Sequence, residues 1–205
     1  DMLGWGTEFF DADNDGWLDL FVANGHVDDL TWRTPPEPYR MQAQIFRNGR
    51  NRKFQDLSAA AGPYFQQKWL GRGVAVGDLD RDGDLDLVVS HQLAPSAVLR
   101  NDTESAGQSV ILRLVGRQSS NRSAFGARVE VEGLGAALVR EVIGGGSYQS
   151  SSDRRVHIGL GTQTSLPRLR IRWPSGATQE LADLPAGDYV VVEGGAARSL
   201  ASNRR

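Results

Sequence analysis

Two stretches decide how this chain reads: Asp11-Ala12-Asp13-Asn14-Asp15-Gly16-Trp17-Leu18-Asp19 and Asp78-Leu79-Asp80-Arg81-Asp82-Gly83-Asp84-Leu85-Asp86. In each, carboxylates occupy loop positions one, three, five and nine, with glycine at six. Oxygen donors at alternating positions let a chain wrap a hard cation. The glycine permits the sharp turn, and a backbone carbonyl at position seven adds a ligand. The candidate ligands are therefore Asp11, Asp13, Asp15, the Trp17 carbonyl and Asp19 in the first loop. In the second they are Asp78, Asp80, Asp82, the Asp84 carbonyl and Asp86. Carboxylates crowded in this way repel one another by about 1 kcal/mol per pair at ~4 Å in water, and a divalent ion removes the conflict. Oxygen-only donors favour calcium, magnesium or manganese over zinc or copper, and a flexible many-ligand loop favours calcium, so two Ca2+ sites are expected.

An EF-hand is excluded. It needs a bidentate Glu at position twelve and flanking helices, whereas position twelve is Val22 in one loop and Val89 in the other. The plainer alternative is a pair of water-exposed acidic turns, because Asp and Gly favour turns in any case. Recurrence in register weighs against it. A shift of 67 residues lays residues 3–22 on 70–89 with eleven identities, from Leu3/Leu70 and Gly4/Gly71 through the aspartates to Val22/Val89. Further on the shift becomes 53, matching Ile45-Phe46-Arg47-Asn48 with Val98-Leu99-Arg100-Asn101, so the first copy holds fourteen extra residues. These fall in residues 25–43, where Pro35, Pro36 and Pro38 argue for a surface loop.

The flanks of both loops, residues 73–77 and 85–89 in the second copy, read as β, as do 44–47, 53–56 and 97–100. Each copy supplies three or four strands, and a period of 50 to 67 residues suits a propeller blade rather than a helical solenoid. Two blades cannot close a ring, so further blades are expected upstream, and the abrupt opening Asp1-Met2-Leu3 reads as a cut inside a longer protein. From about residue 109 the aspartate loops stop. Segments 110–115, 127–132, 137–142, 155–158, 168–173 and 189–193 read as strands between Gly, Ser and Pro turns. The expected division is residues 1–108 as two blades, 109–194 as a compact β domain and 195–205 as a frayed tail.

Bulk properties narrow the function classes. A net charge of −2 and scattered arginines give no basic field for nucleic acid. The absence of cysteine removes disulfide scaffolds, thiolate zinc sites and cysteine nucleophiles together. No apolar run is long enough to span a membrane.

The two repeats resemble the FG-GAP or VCBS type, in which calcium loops sit in the blades of an integrin-like β-propeller. Residues 121–131, 144–161 and 170–184, including Phe125-Gly126-Ala127-Arg128-Val129 and Arg172-Trp173-Pro174-Ser175-Gly176, resemble the ASPIC/UnbV domain of cartilage acidic protein homologues and many bacterial exported proteins. The resemblance implies an all-β protein: a partial β-propeller followed by a small β-sandwich-like domain. It also implies a secreted, periplasmic or cell-surface location and an adhesion-type role with an extracellular protein or glycan as partner. Its alternative implication is an enzyme or enzyme-associated domain acting on polysaccharide or in secondary metabolism, since some members accompany enediyne biosynthesis.

Catalytic signatures are weak. His26, His91 and His157 have no metal-binding spacing, and the first two read as loop residues and the third as a satisfied polar position. Gly144-Gly145-Gly146-Ser147 lacks the lysine of a P-loop, and Ser147 lacks the surroundings of a nucleophile elbow. Among the tryptophans, Trp32 is the candidate for exposure. The expected function is a non-catalytic binding module rigidified by calcium.

Overall fold

The computed structural model describes residues 2–30, 32–33, 38–103, 107–117, 119–134 and 136–200. Among these the chain is all-β, with one 3₁₀ turn at Pro63–Gln66. The first repeat folds as an antiparallel meander of β1 (Gly4–Phe10), β2 (Asp19–Asn24), β3 (Gln44–Asn48) and β4 (Phe54–Asp56). The second repeats it with β5 (Gly71–Gly77), β6 (Asp86–His91) and β7 (Ala97–Leu99). Phe10 pairs with Asp19 in the first blade and Gly77 with Asp86 in the second, so each aspartate loop is the hairpin between the first two strands of its blade.

Strand alternation sends every second residue to one face. That face of the first blade carries Phe10, Phe21, Ala23 and Ala43, and meets Val74, Val76, Leu87 and Val89 of the second, with Phe65 of the 3₁₀ turn inserted. Each large side chain so buried contributes roughly 1.5–3 kcal/mol. The inner strands approach so closely that a Cβ on Gly6 would lie 2.4 Å from the Arg72 carbonyl oxygen, and only glycine fits there. The described part of the insert at residues 25–43 is tied to this pair by Met41 and Trp69, which exchange backbone hydrogen bonds of 2.8 Å. Its Trp32 is 75% exposed, whereas Pro35 and Pro36 lie outside the described residues.

The second half contributes β8 (Gln108–Val115), β9 (Arg128–Leu134), β10 (Ala136–Glu141), β11 (Val156–Gly161), β12 (Ser165–Arg172), β13 (Thr178–Pro185), β14 (Gly187–Val192) and β15 (Ala197–Leu200). They form two four-stranded sheets in the orders β10-β9-β12-β13 and β11-β8-β14-β15. Only the β8–β14 pair is parallel among the described pairings. Val129, Val131, Leu169 and Ile171 of one sheet share a core with Val110, Leu112, Ile158 and Val191 of the other, which makes a sandwich.

Three features depart from the sequence expectation or complete it. Residues 110–115, whose membership the sequence leaves open, belong to the sandwich, because β8 pairs with both β11 and β14. The frayed tail expected at 195–205 is corrected in part: Ala197–Leu200 forms β15, which finds backbone partners along β14 from Asp188 to Val191. Residues 201–205 lie outside the described residues. Strand β13 escapes the pattern because Asp183 adopts a positive φ of 51° within it and Pro185 ends it, both of which read as turn signals.

Candidate metal centre

Both loops adopt one backbone course. Position four is left-handed in each, at Asn14 (φ 55°) and Arg81 (φ 66°), and so is position six, at Gly16 (φ 89°) and Gly83 (φ 102°). Glycine enters that region freely and asparagine more readily than most residues, so the sequence pattern favours the turn. The first aspartate organises the turn: Asp11 accepts from the Asp15 and Gly16 N–H groups at 2.9 and 2.8 Å, and Asp78 accepts from Arg81 N–H at 2.7 Å. The ninth staples the loop to its blade. Asp19 accepts from Ala12 and Asn48 N–H at 3.0 and 2.8 Å, and Asp86 accepts from Leu79 and Asn101 N–H at 2.9 Å each. At position seven the N–H groups of Trp17 and Asp84 close onto Asp15 and Asp82, at 2.8 and 3.0 Å.

The turns bring carboxylates together. Asp11, Asp13 and Asp15 each place an oxygen within 4.8 Å of the others, and so do Asp78, Asp80 and Asp86. Asp19 stands outside the first trio, while Asp82 and Asp84 stand outside the second. The Asp84 carboxylate turns to the other loop, accepting from Asn14 Nδ2 at 2.6 Å.

Counter-charges differ between the loops. In the first, Arg47 pairs with Asp13 and Arg50 with Asp15 at 2.6 Å. In the second, Arg100, the repeat counterpart of Arg47, turns away to Asp102 at 2.8 Å. Burial pushes the Asp11 pKa up to about 7, and Asp19 and Asp84 to about 6. Asp78 and Asp86 are raised as well, again by burial. Asp78 is only 4% exposed, and its Oδ2 has no hydrogen-bond partner among the described residues. Asp13 Oδ1 is likewise buried and unpartnered. A buried, orphaned carboxylate oxygen is costly unless something positive meets it. An oxygen-only donor set of this kind fits a hard divalent cation, and both clusters could hold one.

Several residues of the site were not singled out as ligands in the sequence. Asn14, Asn48 and Asn101 fix the loops to their neighbours, and Asn101 Nδ2 crosses between blades to the Ala12 carbonyl at 2.7 Å. The matching Arg-Asn pairs in the repeat alignment hinted at the last two. Arg140, Ser109 and His157 come from the sandwich and become visible only once the chain is folded. His157 is buried, and of its two ring nitrogens Nε2 lies 3.1 Å from the Gly83 carbonyl. His26 closes a local turn onto Asp28, and His91 stacks on Trp69 at 4.7 Å while meeting Tyr64 Oη, so neither joins the acidic clusters.

Comparison with known proteins places the chain among repeat-containing relatives. Residues 11–89 match the family model for the FG-GAP-like repeat, residues 70–112 that for the FG-GAP repeat, and residues 116–199 that for ASPIC and UnbV. Cartilage acidic protein 1 of Xenopus tropicalis is 29% identical over 172 residues, covering 81% of this chain and 25% of that protein. The Mus musculus and Homo sapiens proteins of the same name are each 28% identical over 170 residues, covering 81% of this chain and 25% and 24% of their own lengths. The chain thus spans about a quarter of the curated relatives it matches. The chain thus carries FG-GAP-like repeats followed by an ASPIC and UnbV domain, and over most of its length it is similar to cartilage acidic protein 1.

Proposed function

We propose that the chain is a calcium-binding, non-catalytic, extracellular binding or adhesion module, in which the two aspartate loops lock propeller blades into a rigid platform. The observation that carries this reading is the convergence of three carboxylates in the equivalent hairpin loop of each blade, the first aspartate of each loop buried and Asp78 Oδ2 left unpartnered. Bound calcium would neutralise the carboxylates. The chain's own residues hold the frame: Asp19 ties its loop to the end of β3 and Asp86 to Asn101 just after β7, and Asp11 and Asp78 set the turn. Side chains of Asp11, Asp13, Asp15 and Asp19, with the Trp17 carbonyl, would supply one site. Asp78, Asp80, Asp82 and Asp86, with the Asp84 carbonyl, would supply the other. The name of the cartilage relatives supports an extracellular setting, where millimolar calcium saturates even weak sites.

The blade surfaces support a larger propeller. Phe9, Leu20 and Phe46 face the same way across β1, β2 and β3, and Phe9 is 57% exposed and packs on Phe54 at 6.3 Å. By the repeat offsets, Phe9, Leu20, Val22 and Phe46 correspond to Val76, Leu87, Val89 and Leu99, which in the second blade cover the first. A further blade is the partner that fits this face. The insert with exposed Trp32 is the candidate surface for an extracellular protein or glycan.

The test is a thermal melt in EDTA and then in rising calcium, with magnesium as control, on the chain and on an Asp78→Ala, Asp80→Ala variant. A calcium-selective rise in melting temperature that shrinks in the variant is expected. Equal melting curves with and without calcium would overturn the reading.

A further inference from the structure

We propose that the aspartate loops are also the seat of the C-terminal sandwich, so that cation binding in the loops and docking of the sandwich on the blades are one coupled equilibrium. This rests on the loops being cation sites and assigns their regulation. The position-six glycine carbonyl of each loop is held from the sandwich. Gly16 O accepts from Arg140 Nη2 of β10 at 2.9 Å, and Gly83 O accepts from Ser109 Oγ of β8 at 2.7 Å and from His157 Nε2 of β11 at 3.1 Å.

Other loop carbonyls are engaged too. Asn14 O accepts from Gly161 N–H at 2.7 Å, Asp13 O from Gly107 N–H at 2.9 Å, and Asp78 O from Arg155 Nη2 at 2.8 Å. Contact is close enough that a Cβ on Gly159 would sit 2.2 Å from Asp11 Oδ2 and 2.5 Å from the Asn14 carbonyl carbon. Two independent observations therefore meet in each loop. Carboxylates converge on one side, with the orphaned Asp78 Oδ2 among them, while the carbonyls of the same turn are read by another domain.

The coupling follows from the backbone. The carbonyl directions are set by the left-handed turn shared by both loops. Without a cation, the clustered charges oppose that turn, and relaxing it misdirects the carbonyls that Arg140, Ser109, His157 and Gly161 require. Linkage is reciprocal: a cation that favours the docked state must itself bind more tightly to it.

The chain lacks cysteine, so Arg52→Cys with Thr178→Cys, both exposed, gives a clean dye pair across blade and sandwich. Energy transfer between the dyes is measured in EDTA and in calcium. A longer or broader separation in EDTA that calcium restores is the expected result. In parallel, Ser109→Ala with His157→Ala, neither a cation ligand, should weaken calcium affinity on the order of fivefold. Calcium binding with an unchanged dye separation and unchanged affinity in that variant overturns the coupling and leaves the function standing. No calcium binding at all overturns both.

Discussion

Asp11 shows what the loops ask of single residues. Its pKa near 7 in the folded chain lies above the ordinary 3.8, so between those values the folded chain holds a proton that the unfolded chain has released. Stability of the cation-free protein must then fall as pH rises from about 4 toward about 7, and Asp19, raised to about 6, adds in the same direction. In EDTA the melting temperature should be higher at pH 5 than at pH 7.5, and saturating calcium should remove or reverse that difference. Asp78→Asn tests the same physics from the other side. Removing a buried charge that has one unpartnered oxygen should leave the EDTA melt unchanged or raised, while abolishing the calcium-dependent gain at that site, a gain of about 2.7 kcal/mol at a hundredfold excess over Kd. The aspartates were legible because their spacing is the chemistry. Asn14, Arg47 and Arg140 were not, since each acts through a partner brought near only by the fold: Asn14 reaches Asp84 seventy residues away, and Arg140 reaches Gly16 across 124.

At the scale of elements, the strands flanking each loop were readable from alternation and from the repeat, which fixed β1 against β5 and β2 against β6. Strands β13 and β15 were not. Asp183 and Pro185 disguise the first as a turn, and Ala197–Leu200 is short and mostly exposed, so its strand state comes from the open edge of β14 rather than from its own residues. The contact of β11 with the first loop was equally hidden, because nothing near Gly159 announces an aspartate oxygen. Gly159→Ala should cost on the order of 1–3 kcal/mol by overpacking. Gly145→Ala, where the nearest atom to the new Cβ lies 3.8 Å away, should be close to neutral in the same urea titration. Asn101→Ala removes the inter-blade bond to Ala12 O and should lower stability by about 1 kcal/mol.

At the scale of the whole molecule, two blades and a sandwich share one junction, and both aspartate loops lie in it. The apolar face of the first blade, with Phe9, Leu20, Val22 and Phe46, matches by repeat the face that the second blade already buries. Isolated chains should therefore associate through it at high concentration, and Phe9→Glu with Phe54→Glu should shift sedimentation toward monomer. The blade architecture was legible from periodicity. The seating of the sandwich on the loops was not, since it depends on carbonyl directions that no residue pattern encodes. The central claim is cation binding, and calorimetric titration of calcium into the EDTA-stripped chain tests it most directly. Two equivalents are expected per chain, falling to one with either Asp11→Asn plus Asp13→Asn or Asp78→Asn plus Asp80→Asn. Absence of binding heat and of retained calcium under saturating conditions would contradict it and leave both loops as acidic turns.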